Sequence, residues 1–340
     1  MKKHPFLIIL FLALTAIANS QSYKIAGKIP VEGDGGWDYL IADAATGRLF
    51  VSHGNVVNVV DAKSGKLLHT ITDTKGVHGI ALAPDLNKGF ISNGRDSSVT
   101  VFDLTTYSAL AVVRVTGKNP DAILYDPFSK KVFAFNGRTS NATVIDAKDN
   151  KVVGTIPLDG KPEFAVTNEK GKVYVNIEDK NKITVINATS LKVEDNWSIA
   201  PGESASGLAI DNKTHRLFAV CDNKMMVVVN AENGKVVTTV PIGDGPDAAG
   251  FDPGLNRVYS SNGDATLTVI KEETPDKFSV LENVPTKKGA RTMALDTKTH
   301  HIYLAAADYG DKPEATKENP RPRPAIKSGS FILLDVEQVK

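Results

Sequence analysis

One short motif recurs along the whole chain at an almost constant interval, and that interval limits the possible folds more than any other feature. In each copy a short apolar run ends in an acidic or amide residue, or once in lysine, as in Val59–Asp61 and Val144–Asp146. Successive copies are 42, 43, 41, 43, 41 and 64 residues apart. Five near-equal intervals and one long interval indicate seven repeats with an insertion in the last. The equivalent positions are Asp61, Asp103, Asp146, Asn187, Asn230, Lys271 and Asp335.

A second position, at the start of the first apolar run of each repeat, supports the same count. Its spacings are 40, 43, 42, 43, 41 and 44 residues. Because the last spacing is normal, the insertion lies after Arg291 and before Asp335. The equivalent residues, which we call the mouth ring, are Asp38, His78, Asp121, Glu163, Ser206, Asp247 and Arg291.

The composition of each repeat predicts strands. The apolar runs are four to six residues long, rich in Val, Ile, Phe and Tyr, and bounded by Gly, Asn, Asp and Pro. No stretch shows sustained helical periodicity, which excludes helical solenoids of similar period. Four short strands in forty-odd residues is the period of a propeller blade. We therefore predict an all-β fold, a seven-bladed β-propeller with four-stranded blades.

The two ends of the chain predict how the ring closes. The seventh repeat stops after its third strand, at Phe331–Val336. Residues Lys24–Val31 match the fourth strands of other repeats, such as Lys151–Leu158 and Lys235–Ile242. The N-terminal strand should therefore complete the last blade, which removes an open sheet edge that would otherwise favour aggregation.

The first twenty residues have the pattern of a secretory signal. Lys2, Lys3 and His4 precede an apolar run, Phe6–Ile17, that is too short to span a bilayer comfortably. No later segment is apolar enough to cross a membrane. We predict a signal peptide over residues 1–20, a single propeller domain over residues 21–340, and a periplasmic or secreted location.

Charge and cysteine content limit the possible partners. The formal net charge of +1 gives no electrostatic basis for nucleic acid or an anionic membrane as the main partner. Cys221 is the only cysteine, so no disulfide can form within one chain. It follows the apolar strand Leu217–Val220, and we interpret it as a buried structural residue. We expect a monomer.

The repeat residues also carry a family resemblance. Val173–Asn176, Val258–Asn262 and the Val-Ile-Asp third strands resemble the YVTN-repeat propellers, including the YncE-like bacterial proteins. The resemblance covers essentially the whole chain after the signal peptide. It implies an exported or cell-surface protein with a binding role more often than a catalytic one. One branch of the family binds single-stranded DNA, but this sequence has no basic stripe interleaved with aromatic residues that would support that role here.

Residue variation within the mouth ring predicts a functional pocket. In a propeller the first strand of each blade lines the central channel, and the loop before it opens on the same face as the loop between strands two and three. A structural position should repeat one residue type, as Asp61 and its equivalents do where they brace the turn to the fourth strand. The mouth ring instead carries acids, an imidazole, a hydroxyl and a guanidinium, although such residues can also simply hydrate the channel mouth. The predicted ligand-binding residues are Asp38, His78, Arg95, Asp121, Asn136, Arg138, Glu163, Asp247 and Arg291.

The insertion in the seventh repeat falls on the same face. Residues 307–328 are rich in proline and charge, which favours an extended, semi-rigid flap. Arg321 and Arg323 would reach over the channel mouth. The alternative interpretation is a mobile surface loop without a role.

Three functions are compatible with these residues. The first is a binding or interaction propeller for a small molecule or a protein partner, in which Arg95, Arg138 and Arg291 hold a small anionic ligand. The second is a metal-dependent, lactonase-like hydrolase with a divalent metal such as Ca²⁺ on the acid and amide oxygens. The third is a Cu- or Zn-binding, redox-associated protein that uses His53 and His78. Nucleophile, phosphate-loop and dinucleotide motifs are absent, and we favour binding over catalysis.

Overall fold

The structure is a computed structural model, and it describes residues 23–33, 35–316, 322 and 324–339. The predicted signal peptide and the two flap arginines, Arg321 and Arg323, lie outside the described residues. Within the described part of the chain, no helix has the length and hydropathy needed to cross a membrane.

The predicted architecture is confirmed: the described residues form seven antiparallel sheets of four strands each. Blades one to three contain β2 (Leu40–Asp43), β3 (Arg48–His53), β4 (Val56–Asp61), β5 (Leu67–Ile71), β6 (Val77–Ala83), β7 (Lys88–Asn93), β8 (Ser98–Asp103), β9 (Ala109–Arg114), β10 (Pro120–Asp126), β11 (Lys131–Asn136), β12 (Asn141–Asp146) and β13 (Lys151–Pro157). Blades four to six contain β14 (Pro162–Thr167), β15 (Lys172–Ile177), β16 (Lys182–Asn187), β17 (Lys192–Ser198), β18 (Ala205–Asp211), β19 (Arg216–Cys221), β20 (Met225–Asn230), β21 (Val236–Pro241), β22 (Pro246–Asp252), β23 (Arg257–Asn262), β24 (Thr266–Thr274) and β25 (Lys277–Pro285). Blade seven contains β26 (Met293–Asp296), β27 (His301–Ala306), β28 (Ile332–Gln338) and β1 (Tyr23–Pro30). Two single-turn 3-10 helices, Pro84–Leu86 and Glu178–Lys180, interrupt the loops.

Blade seven closes the ring as the sequence predicts. Its strand order is β1-β28-β27-β26, so the N-terminal strand is the outermost strand of the last blade. Ile29 lies opposite Leu333 in an antiparallel register. The Tyr23 hydroxyl also lies 3.0 Å from the Tyr259 hydroxyl of blade six, which ties the chain start to a second blade.

Most of the apolar core lies between blades rather than within them. The second strand of each blade is buried on both faces, whereas the fourth strands are mostly exposed or half-buried, with a buried side chain near their C-terminal end. The described residues form seven apolar clusters, and each one joins two neighbouring blades. In one of them Phe50 of blade one and Phe102 of blade two pack with ring centroids 5.7 Å apart. A blade therefore depends on both neighbours, as expected for a repeat fold.

The repeated acid at the end of the third strand braces the following turn in three of the four predicted positions. Asp103 Oδ1, for example, accepts hydrogen bonds from the Thr105 and Thr106 amides at 2.8 and 2.7 Å. Asp61 and Asp146 make equivalent bonds. The prediction is wrong for Asp335, which instead accepts a hydrogen bond from His301 Nδ1 at 2.7 Å. The reason is topological: β28 continues past Asp335 to Gln338, and the fourth strand of this blade is the N-terminal β1, so no turn joins Asp335 to it.

The insertion leaves β27 after Ala306 and returns at β28, as predicted. Its base is a short antiparallel ribbon in which the Gly310 amide donates to Ala325 O and the Lys327 amide donates to Asp308 O, both at 2.8 Å. Ile326 of this ribbon packs against the apolar cluster between blades seven and one, together with Trp37. The base of the flap is therefore held against blade one.

Cys221 lies at the end of β19 and is fully buried. Burial raises the pKa of its thiol to about 12, which leaves almost no thiolate at neutral pH. We expect no reaction of folded protein with a thiol reagent such as DTNB at pH 8, and one equivalent of reaction after unfolding in guanidinium. Rapid labelling of the folded protein would contradict the buried position.

Candidate functional site

The candidate site lies at the end of the channel where the first strands begin. In blades one to six, the loop before the first strand pairs with the loop between strands two and three of the same blade. The Gly94 amide donates to Gly76 O at 2.9 Å, and the Gly137 amide donates to Asn119 O at 3.0 Å. Both loops therefore open on one face, as the sequence predicts.

Three members of the mouth ring meet directly. His78 Nδ1 lies 2.5 Å from Asp38 Oδ2 and 3.5 Å from Asp121 Oδ1. The three residues come from blades one, two and three, about forty positions apart in the chain. The closed ring of blades, rather than local sequence, brings them together.

Three further members are held in ion pairs. Arg291 Nε lies 3.1 Å from Asp247 Oδ2, and Lys161 Nζ lies 3.2 Å from Glu163 Oε2. Lys161 also binds Glu178, and the sequence analysis identified neither of those two residues. Ser206 does not join the site, because its hydroxyl donates to Pro246 O at 2.8 Å.

The mouth ring contains several carboxyl groups close together, and their pKa values are raised. Burial raises the pKa of Asp121 to about 6, of Asp247 to about 7 and of Glu163 to about 8, and neighbouring carboxylates add to each shift. Burial by itself would lower the pKa of His78, but its hydrogen bond to Asp38 and the nearby acids raise it instead. The mouth is therefore an environment that favours added positive charge.

Tyr39 closes the ring from below. It is only 7% exposed, and burial followed by the charges of Glu163, Asp121, Asp38 and Asp247 raises the pKa of its hydroxyl well above the usual range. Its ring packs against Phe164 with centroids 5.2 Å apart. Beyond this pair the channel is an apolar cavity of about 700 Å³ that opens toward the opposite face; residues along its wall include Leu82, Leu124, Val166, Phe251 and Leu295. Tyr39 and Phe164 thus separate the polar mouth from the apolar channel.

Two arginines of the predicted anion clamp stay apart from the ring. Arg95 and Arg138 are both exposed at the loop tips. Among the described residues, neither forms an ion pair with a ring acid. Only Arg291 of the predicted clamp belongs to the ring, and Asp247 already neutralises it.

Asn136 serves its own blade. Its side chain is completely buried, and Nδ2 donates to Asn141 Oδ1 at 2.7 Å and to Thr143 Oγ1 at 3.0 Å. Asn93 and Asn262 make the corresponding bonds to the third strands of their blades. These repeated amides brace strand two against strand three and are not offered to the channel.

His53 also lies away from the ring. Its imidazole packs against Phe331 with centroids 4.6 Å apart, and Nδ1 is 3.3 Å from Asn58 Oδ1. In the described part of the chain, one group of three or more His, Cys, Asp or Glu residues has its ligand atoms within 4.8 Å of one another: Asp38, His78 and Asp121. The predicted pairing of His53 with His78 is therefore replaced by a histidine between two aspartates.

Close approach explains the Asn-Gly sequence beside His78. Gly94 does not lie in the positive-φ region that favours glycine. A Cβ at Gly94 would stand 2.6 Å from His78 Nε2. Glycine is needed here because the imidazole packs directly on the backbone.

A second cavity adjoins the ring under the flap, and we call it the flap pocket. It has a volume of about 700 Å³ and lies between blades six, seven and one and the base of the flap. Asp38 and Arg291 form its border with the ring, Trp37 and Tyr309 supply aromatic surface, and Lys288 and Lys312 add positive charge. The Trp37 indole also stacks on the Phe331 ring, with ring centroids 4.9 Å apart, and this contact fixes the indole.

The sequence predicted part of the flap pocket. It placed the flap on this face and marked Asp38 and Arg291 as ligand-binding residues. It missed Lys288, Lys312 and Tyr309, because none of them occupies a position that repeats from blade to blade.

Comparisons with solved structures support the propeller fold. The chain is 8% identical to the WD40 repeats of RRP9, with a TM-score of 0.75 over 94% of this chain and 98% of that chain. It is 18% identical to a chain of hydrazine synthase from Kuenenia stuttgartiensis, with a TM-score of 0.69 over 81% and 94%. It is 14% identical to a chain of the mitotic checkpoint complex, with a TM-score of 0.73 over 90% and 96%.

These identities show the fold alone. No protein-family model matches the sequence, and no curated protein is significantly similar to it. The likeness to the YVTN-repeat propellers therefore stays a prediction from the repeat residues, whereas the likeness to WD40-type propellers is a finding about architecture.

Proposed function

We propose that this protein is a ligand-binding propeller that holds a small planar anion in the flap pocket. The observation that carries the proposal is the combination of aromatic surface and positive charge in one cavity at the channel mouth. A propeller fold is equally suited to binding a protein, but a concave cavity of several hundred Å³ with a few polar groups is typical of a small-molecule site. With the signal peptide predicted over residues 1–20, the same proposal places the protein in the periplasm or outside the cell.

The charges of the flap pocket favour an anion although the neighbouring ring is acidic. Lys288, Arg291 and Lys312 line the pocket, and Asp38 is the only acid among its lining residues that the structure describes. Lys288 and Lys312 form no ion pair with described residues, so their charges are available to a ligand. A carboxylate held by one of these cations would gain a charge-assisted hydrogen bond, which is roughly twice as strong as a neutral one.

The aromatic side chains favour a planar ligand. Tyr309 and Trp37 have ring centroids 6.3 Å apart and are tilted by 41°, so they form two walls rather than a closed stack. Tyr309 is 37% exposed, and it lies in the flap base, where it reaches the pocket from above. A flat ring stacked on one of these walls would bury apolar surface while its carboxylate faces the lysines.

Benzoate is the first probe, with benzyl alcohol as the neutral analogue of similar shape and acetate as the anion without a ring. Isothermal titration calorimetry should show benzoate binding more tightly than either analogue. Lys288→Gln should weaken benzoate binding about 5- to 10-fold, because the glutamine amide can still donate a neutral hydrogen bond and the lost charge contributes roughly 1 to 1.5 kcal/mol.

Arg138→Gln is the matched control, since Arg138 is an exposed arginine on the same face but outside the pocket. Its benzoate affinity should equal that of the unmodified protein. Equal binding of benzoate and benzyl alcohol would refute an anion site. If benzoate binding were weaker in Arg138→Gln and unchanged in Lys288→Gln, the ligand would instead lie at the loops of blades two and three.

A further inference from the structure

We propose that Asp38, His78 and Asp121 bind one divalent first-row transition-metal ion at the channel mouth. The site is separate from the flap pocket and does not depend on the anion proposed there. Asp38 lies between the two sites.

The geometry of the three side chains fits a common ion. His78 Nδ1 faces both aspartates, at 2.5 and 3.5 Å from their oxygens, and all three ligand atoms lie within 4.8 Å of one another. Bonds of about 2.0 to 2.2 Å to one ion place neighbouring ligand atoms roughly 3 Å apart. Side-chain exposures of 15 to 28% leave the group open to an ion from the mouth. Small side-chain movements would therefore complete three positions and leave the others for water.

The surrounding charge also favours a cation. The negative charges of four ring carboxylates together raise the pKa of the Tyr39 hydroxyl; they belong to Asp38, Asp121, Glu163 and Asp247. Arg291 lies beside Asp247, and Lys161 lies beside Glu163. The three proposed ligands have no lysine or arginine among their described ion pairs, so the two aspartates share a single imidazole.

The ligand types indicate which ion is bound. Ca²⁺ and Mg²⁺ prefer sites made only of oxygen atoms, whereas an imidazole favours Zn²⁺, Co²⁺ and related ions. One imidazole with two carboxylates therefore selects a borderline ion over Ca²⁺. This ligand set differs from both metal sites that the sequence suggested, an acid and amide ring for Ca²⁺ and a pair of histidines for Cu²⁺ or Zn²⁺.

Two other histidines provide internal controls. His301 Nδ1 lies 2.7 Å from Asp335, but its Nε2 faces Glu337 at 3.7 Å, so its two carboxylates approach different ring nitrogens. His300 Nδ1 contacts only Asp252, at 2.7 Å. Neither arrangement lets two carboxylates and one nitrogen converge on an ion.

The test uses the full propeller after treatment with a chelator and dialysis. Calorimetric titration with Zn²⁺ should show one site per chain, and Co²⁺ should give visible absorption bands that indicate nitrogen ligation. Asp121→Asn should weaken Zn²⁺ binding at least 10-fold, and His78→Gln should abolish the Co²⁺ bands. His301→Gln should leave both signals unchanged.

Thermal unfolding in EDTA separates loss of the site from loss of the fold. Asp121→Asn removes a charge from a crowded ring, so the apo variant should be at least as stable as the unmodified protein. Zn²⁺ binding that survives in both Asp121→Asn and His78→Gln would overturn the proposal. Displacement of Co²⁺ by an equal concentration of Ca²⁺ would overturn the assigned ion class. Benzoate binding is measured in EDTA, so failure of one site does not affect the test of the other.

Discussion

Deletion of residues 1–30, which removes strand β1, is expected to abolish cooperative folding of the propeller. The deletion exposes the whole edge of β28 and removes two buried side chains, Tyr23 and Ile29. It also leaves the buried Val31 at the new chain end, where it loses the strand that holds it. Each such side chain contributes about 1.5 to 3 kcal/mol on burial. The total approaches the roughly 5 to 15 kcal/mol that stabilises a whole domain.

Urea unfolding followed by circular dichroism is the measurement. The truncated protein should unfold without a sharp transition or aggregate through its open edge. A synthetic peptide of residues 21–31 should restore the transition by pairing with β28.

The matched control is Lys24→Ala on the same strand. Lys24 forms an exposed ion pair with Glu337 at 3.2 Å, and such pairs contribute less than about 1 kcal/mol. An unfolding midpoint in the truncated protein equal to that of the intact chain would mean that the ring does not need its closing strand.

The second large effect is a dependence of stability on pH that originates in the mouth ring. The pKa of Glu163 is raised to about 8, mainly by burial and then by the charge of Asp121. In the unfolded chain this carboxyl has an ordinary pKa of 4.5. Between these two pKa values the Glu163 carboxyl is protonated in the folded protein and ionised in the unfolded chain. The stability of the folded protein therefore falls as pH rises from about 5 to 8. Asp247, with a pKa of about 7, acts in the same direction.

Glu163→Gln should remove much of that dependence. At pH 8 the variant should be more stable than the unmodified protein by on the order of 2 kcal/mol, because it no longer carries a charge in the ring. The gain is smaller than the pKa shift alone implies, since the ion pair with Lys161 is also lost. At pH 5 the two proteins should be nearly equal. The measurement is the urea midpoint in EDTA at both values.

Glu169→Gln provides the comparison for this effect. Glu169 is exposed in the same blade, beside the channel opening on the opposite face. Its removal should leave the pH dependence unchanged. A flat stability profile between pH 5 and 8 in the unmodified protein would show that the ring carboxylates keep ordinary pKa values.

The sequence predicted the parts of this protein that repeat. Seven blades, four strands per blade and the closing N-terminal strand all follow from apolar runs that recur every forty-odd residues, because each blade solves the same packing problem with the same local pattern. The braced turns after Asp61, Asp103 and Asp146 were visible for the same reason. The exception, Asp335, occurs where the repeat is cut by the end of the chain.

The sequence could not assign roles within the candidate site. Asn136 and Arg138 lie two positions apart, at the end of β11 and in the loop after it, on the same face as the mouth ring. Asn136 is nevertheless buried in its own blade, whereas Arg138 is exposed. The register of a repeat tells which face a residue occupies but not the direction of its side chain. Lys161 precedes the ring position in only one blade, so no repeated signal marked it.

Pattern alone therefore determined the architecture and the face on which a site should lie. Tertiary structure decided which side chains meet there: closure of the ring places His78 between Asp38 and Asp121, and packing of the flap base on Trp37 creates the pocket beside them. The physical reason is range. Strand and turn preferences act over a few residues, whereas these contacts join positions from forty to nearly three hundred residues apart, which only the closed fold brings together.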